Sequence, residues 1–150
     1  MAQHKLFIYP DADARASLAR VEPVETLVFA DLEAAIAAAQ AHLDATRDPF
    51  AVQLDADPDA IDLDDYVRAS NVVADWLEAN PIERYFVSRV DADHYREVYG
   101  VKTARELDDQ LFWQGWSDAY KSATGCRPGY RPDSRAEAER ILDGLYSESV

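Results

Sequence analysis

Between two short apolar segments, Val24–Ala30 (VETLVFA) and Phe50–Leu54 (FAVQL), runs the stretch LEAAIAAAQAHLDAT. This arrangement constrains the fold more than any other feature of the chain. Leu32, Ile36, Ala39 and Leu43 recur at helical spacing on one face, and Asp31 stands where an N-cap belongs. Asp48-Pro49 closes the connection. A helix with one apolar stripe, flanked by strands, buries that stripe against the sheet the strands build.

The remaining pattern extends this core. Lys5–Pro10 (KLFIYP) reads as a first strand, stopped by Pro10 and a polar DADA stretch, and residues 11–20 as a helical turn. Asp64–Ala79 reads as one helix, with Tyr66, Ala69, Val73, Trp76 and Leu77 at helical spacing and Asn80-Pro81 as its stop. Arg84–Val90 (RYFVSRV) reads as a fourth strand. Asp91 opens a short helix that Gly100 closes. Thr103, with Glu106 three residues on, caps a long helix to Thr124 that ends at Gly125, and Asp133 or Ser134 caps a last helix. Strands in front and helices behind predict an α+β fold: a small mixed sheet of about four strands, packed with helices and ending in a C-terminal helical pair. One domain spans residues 1–150, with its sheet-containing part at 1–100 and its helical part at 101–150.

Charge bears on function. The chain carries 29 acidic against 15 basic side chains, a formal net charge of −14. Direct binding to nucleic acid or to an anionic membrane is not expected of such a surface. A hydrophobic fraction of 48% excludes a disordered acidic tail. One cysteine, Cys126, excludes an intramolecular disulfide, and no basic-then-apolar leader or membrane-length apolar run is present, so a cytoplasmic setting is expected. Lysine occurs only at Lys5, Lys102 and Lys121, and surplus aspartate with scarce lysine is also seen in salt-adapted proteins. The acids are not spread evenly, as a solubility device would be. Residues 1–62 hold 12 acidic and 4 basic side chains, and Asp55, Asp57, Asp59, Asp62, Asp64 and Asp65 follow one another with no base between them. They form the candidate partner-binding surface.

Signatures of catalysis are missing. There is no G-x-S-x-G, no G-x-x-x-x-G-K and no G-x-G-x-x-G, so no catalytic residue, cofactor or metal is assigned. Asp55-Ala-Asp57-Pro-Asp59 opens like a calcium loop, but Ala60 and Tyr66 occupy the positions that need glycine and glutamate. Asp91, Asp93 and His94 follow a strand, where an N-cap explains Asp91 more simply than a ligand does.

Phe112, Trp116, Ala119, Tyr120 and Ala123 make an apolar stripe on the long helix, and Gly115 within it predicts a close approach by another group. Trp116-Ser117-Asp118-x-Tyr120-Lys121-x-x-x-Gly125-x-Arg127-Pro128 resembles a W-S-D-x-Y-K-x-x-x-G-x-R-P signature of small bacteriophage and mobile-element proteins. The resemblance spans about 15 of 150 residues and implies a setting rather than an activity, since that group shares no assigned one. Here Gly129 separates Pro128 from the next basic residue, Arg131. Arg127 is expected to bond Asp118 or the helix end, or to meet a phosphate or carboxylate.

Size, charge and the resemblance together lead to an expected function. The chain is read as an acidic, non-enzymatic binding protein that antagonises a host nucleic-acid-handling defence complex, of CRISPR or restriction type. It would do so by protein–protein contact or DNA mimicry against a basic surface. Duplex DNA places one charge per about 1.7 Å of axis, and a homodimer would extend the acidic face toward that density. An alternative is a nucleic-acid-binding accessory protein using Arg127, Arg131, Arg135 and Arg140. A second is a small metal-dependent enzyme using Asp55, Asp57, Asp91, Asp93 and His94.

Overall fold

The computed structural model describes residues 1–17 and 21–148, whose contacts fall into two units, Met1–Ala104 and Arg105–Val150. In the first unit β1 (His4–Ile8) lies between β2 (Glu25–Phe29) and β3 (Val52–Asp55), antiparallel to both. Alternation along β1 turns His4, Leu6 and Ile8 into the core, in register with Leu27 on one side and with Val52 and Leu54 on the other. The helix α2 (Leu32–Thr46) packs across all three strands, burying Leu32, Ile36, Ala39 and Leu43, as the spacing predicts, and Ala35 beside them. Asp31 accepts the Ala34 N–H as its N-cap, and Arg47 ends it in the left-handed region at φ 55°. The fold is α+β, with a three-stranded sheet in place of the expected four.

A short helix, α1 (Ala12–Ala16), follows β1, and residues 18–20 of the expected turn lie outside the described part. Its Arg15 forks onto Asp48 at 2.7 and 3.2 Å, both side chains being mostly buried. Burial pushes the Asp48 carboxyl up, but the Arg15 bonds, the Phe50 N–H and the Arg15 charge together hold it below its usual value. The stability this carboxylate contributes is therefore fully present above an unfolded-state pKa near 3.8 and is lost as pH falls through the lower folded value. Urea titrations from neutral pH downward are expected to show Asp48→Asn less stable than the native chain at pH 6, with the gap closing below about pH 4. A gap that does not change with pH would contradict this.

The expected helix over Asp64–Ala79 is two: α3 (Leu63–Ser70) and α4 (Val72–Ala79), interrupted at Asn71. The buried Asn71 sits at this break and tethers the end of the segment expected as a fourth strand. Its amide donates to the Val90 carbonyl at 2.9 Å and accepts the Val90 N–H at 2.8 Å, the pair of bonds a neighbouring strand would make. Arg84–Val90 forms no strand; Arg84 sits at φ 69°, and Arg89 is bound by Asp75 and Glu78 of α4. The helix α5 (Ala92–Tyr99) is capped by Asp91 and closed by Gly100 at φ 66°, as expected.

In the second unit α6 (Ala104–Thr124, its first residue in the first unit) and α7 (Arg135–Glu148) are joined by a segment that retraces α6. Arg127 donates to Ser117 and Asp118 at 2.9 and 2.8 Å, and Arg131 lies 3.8 Å over the Trp113 ring. Arg135 reaches Asp108 and Asp109 at 2.5 and 2.8 Å and sits over Phe112. Each arginine, four residues further along the chain, grips α6 roughly one turn nearer its start. The close approach expected at Gly115 is not there: a Cβ would meet nothing within 4 Å.

Candidate functional site

The six aspartates between residues 55 and 65 occupy one continuous piece of the first unit: the end of β3, the turn after it and the first turn of α3. Four have definite structural duties. Asp57 accepts the Gln3 N–H at 3.1 Å and the Asp59 N–H at 3.1 Å, while its own N–H donates to Nδ1 of buried His4 at 2.9 Å. Asp62 is the N-cap of α3, accepting the Asp65 N–H at 2.8 Å. Asp64 pairs with Arg96 of α5 at 2.7 Å, and Asp65 with Arg68 at 3.2 Å, an arginine also held by Glu33 of α2. Asp55 accepts from Gln53 at 2.9 Å, and Asp55 and Asp59 are exposed.

Asp55, Asp59, Asp62 and Asp64 are exposed and Asp57 and Asp65 half-buried, so most of this charge stands toward water, as an electrostatic recognition surface needs. Their field reaches neighbouring groups. Burial raises the Tyr9 hydroxyl pKa, and the charges of Asp55 and Glu22 raise it further. The imbalance belongs to this unit, since residues 1–104 hold 20 acidic and 9 basic side chains.

His4 is the residue that sequence pattern missed. It falls in the inward register of β1, where a polar side chain needs a bonding partner, and that position was the available signal. The His94 ring meets Tyr95 and Tyr99 at 5.5 and 5.8 Å. Asp91 spends its carboxylate on the N–H groups of Asp93 and His94. Among the described residues no three His, Cys, Asp or Glu side chains are grouped to hold a metal ion.

The C-terminal signature assembles around α6. Trp116 packs against Trp113 and Tyr120, and its buried indole N–H finds no acceptor among the described residues. Gly125 ends the helix at φ 86°, its N–H bonded to the Lys121 carbonyl. Asp118 takes Arg127, and Pro128 is half-buried. Cys126 is exposed beside the Thr124 hydroxyl. For Arg135 burial lowers the pKa, and bonds from Asp108, Glu139 and Asp109 outweigh it, so the net shift is upward. The arginines at 127, 131 and 135 are each engaged by groups of α6 or α7, with Arg127 and Arg131 still exposed.

Elsewhere in the first unit, an open hollow of about 470 Å³ is lined by Ala74, Leu77, Glu78, Tyr85, Phe86, Val87 and Arg89. Phe86 is 86% exposed at its edge. No described helix is long and apolar enough to cross a membrane. No protein family, no curated protein and no solved structure matches this chain.

Proposed function

We propose that this chain is an acidic binding protein of a bacteriophage or mobile element that antagonises a host nucleic-acid-handling defence complex, such as a CRISPR or restriction complex. It acts by protein–protein contact, with carboxylates standing where the target expects phosphates. One observation supports the reading: Asp55, Asp57, Asp59, Asp62, Asp64 and Asp65 lie along one continuous stretch from the end of β3 to the first turn of α3, with Arg68 and Arg96 ion-paired to Asp65 and Asp64. The mobile-element setting draws on the resemblance of Trp116–Pro128. The accessory reading, in which the C-terminal arginines bind nucleic acid, is less well supported because Arg127, Arg131 and Arg135 are engaged within their own unit.

The test compares the native chain with a variant carrying Asn at 55, 57, 59 and 62. Asparagine caps helices about as well as aspartate, so the change removes charge while sparing the α3 cap. Native protein immobilised in host lysate is expected to retain a DNA- or RNA-binding complex that elutes as salt rises, and to compete with nucleic acid for it. The Asn variant is expected to lose roughly tenfold or more in competing strength, as close charge pairs at interfaces are worth at least 1.4 kcal/mol. Equal competition by both proteins would sink the proposal, and a gel shift of bare DNA at modest salt would favour the arginine reading instead.

A further inference from the structure

We propose that the outer face of α5 is the apolar anchor of this acidic surface, and that its occupant is a protein surface with lysine and arginine grouped around an apolar centre. The inference rests on the acidic-surface reading and adds where the contact energy comes from. An isolated helix of eight residues is unstable in water and normally persists by burying a stripe. Yet α5 buries none of its residues. It is held by its Asp91 and Gly100 caps, by the Arg96–Asp64 pair, and by stacking of Tyr95 on Tyr99 with centroids 5.5 Å apart. Val98 stays 60% exposed and Tyr99 47%, with the edge of His94 on Tyr99.

Charge decides what can cover such a face. Asp64 of α3, through its pair with Arg96, and Asp91, Asp93 and Glu97 of the α5 segment flank it, with Lys102 three residues past its end. Arg96 is paired with Asp64 and Asp93 among them. An anionic lipid surface is repelled by this rim, and a second copy would bring an equal negative charge against it. A basic protein surface is attracted. Tyrosine beside an aliphatic side chain, ringed by charge, is the composition of an interface centre whose rim sets rate and specificity.

The test uses the full chain and two synthetic fluorescent helices of equal length and charge, one of lysine and leucine at helical spacing and one of lysine and glutamine. Anisotropy is expected to show the leucine peptide bound about tenfold more tightly. Val98→Gln with Tyr99→Ala is expected to erase that preference and leave the glutamine peptide within about twofold. Val98→Gln alone spares the ring contacts and is expected to remove part of the preference if Tyr99→Ala disturbs the helix. Asp59→Asn with Asp62→Asn is expected to weaken both peptides alike and flatten their salt dependence. Equal binding of the two peptides, or a preference that survives both α5 variants, overturns the anchor while leaving the acidic surface standing. If the Asn variant changes neither peptide, the acidic-surface reading falls and this inference with it. A native dimer, seen by sedimentation and dissociated by Val98→Gln, would assign the face to a second copy and overturn the proposal.

Discussion

Leu43→Ala is expected to destabilise the chain by about 3 kcal/mol, the largest single-residue effect here. Leu43 has no exposed surface and lies in the last turns of α2, the helix that packs across all three strands and against α4. Removing three carbons forfeits their transfer energy and leaves a cavity that the rigid sheet cannot close. Alanine is the better helix former by only a few tenths of a kcal/mol, so propensity does not offset the loss. Against a total stability of about 5–15 kcal/mol, this is a substantial fraction. Urea unfolding followed by far-UV circular dichroism should show the midpoint falling by roughly 1–2 M with the slope unchanged. Ala37→Ser, at an exposed position of the same helix, should shift stability by about 0.5 kcal/mol or less. A Leu43→Ala loss no larger than that of the surface control would mean that α2 does not cover the sheet.

Asn71→Leu is expected to cost about 2–3 kcal/mol although it repairs the helical pattern. Leucine would favour one continuous helix through residue 71 by a few tenths of a kcal/mol. It would also leave the Val90 N–H and carbonyl without the two bonds that Asn71 supplies. Each partly buried group left unpaired costs about 1–3 kcal/mol, unless water reaches it when the segment opens. The second effect wins. Residues 81–90 are then expected to detach locally, so the Val90 amide should lose most of its protection from hydrogen exchange and protease should cut within the segment first. Protection of Val90 that is unchanged in the variant would show that Asn71 is not its tether.

Both variants mark where local pattern was sufficient and where it was not. The α2 helix was legible because Asp31, the Leu32–Leu43 stripe and Asp48-Pro49 agree on cap, face and stop. The same agreement of signals located α5 and α6, each bounded by a residue whose chemistry fits that end. Arg84–Val90 misled because a short run of strand-favouring residues such as Tyr85, Phe86 and Val87 reports compatibility with a strand, whereas a strand exists only when another backbone pairs with it. At Val90 the two bonds that such a partner would make go to the Asn71 side chain instead. Gly115 misled in a similar way, as a glycine permits close approach without requiring it.

For the candidate surface, the run of aspartates was plain in the sequence, since charge survives whatever the fold does. Which of them brace the structure was not. Asp57 meets His4 across 53 positions and Asp64 meets Arg96 across 32, contacts that depend on how distant segments come together. The sequence by itself determined α2, α5 and α6 with their ends and the acidity of the first hundred residues, because these follow from interactions within a few neighbours. Only the tertiary structure decided the sheet order, the tethering of residues 81–90 and the binding of the C-terminal arginines to α6. Each of those turns on one long-range pairing chosen from many that local chemistry allows equally.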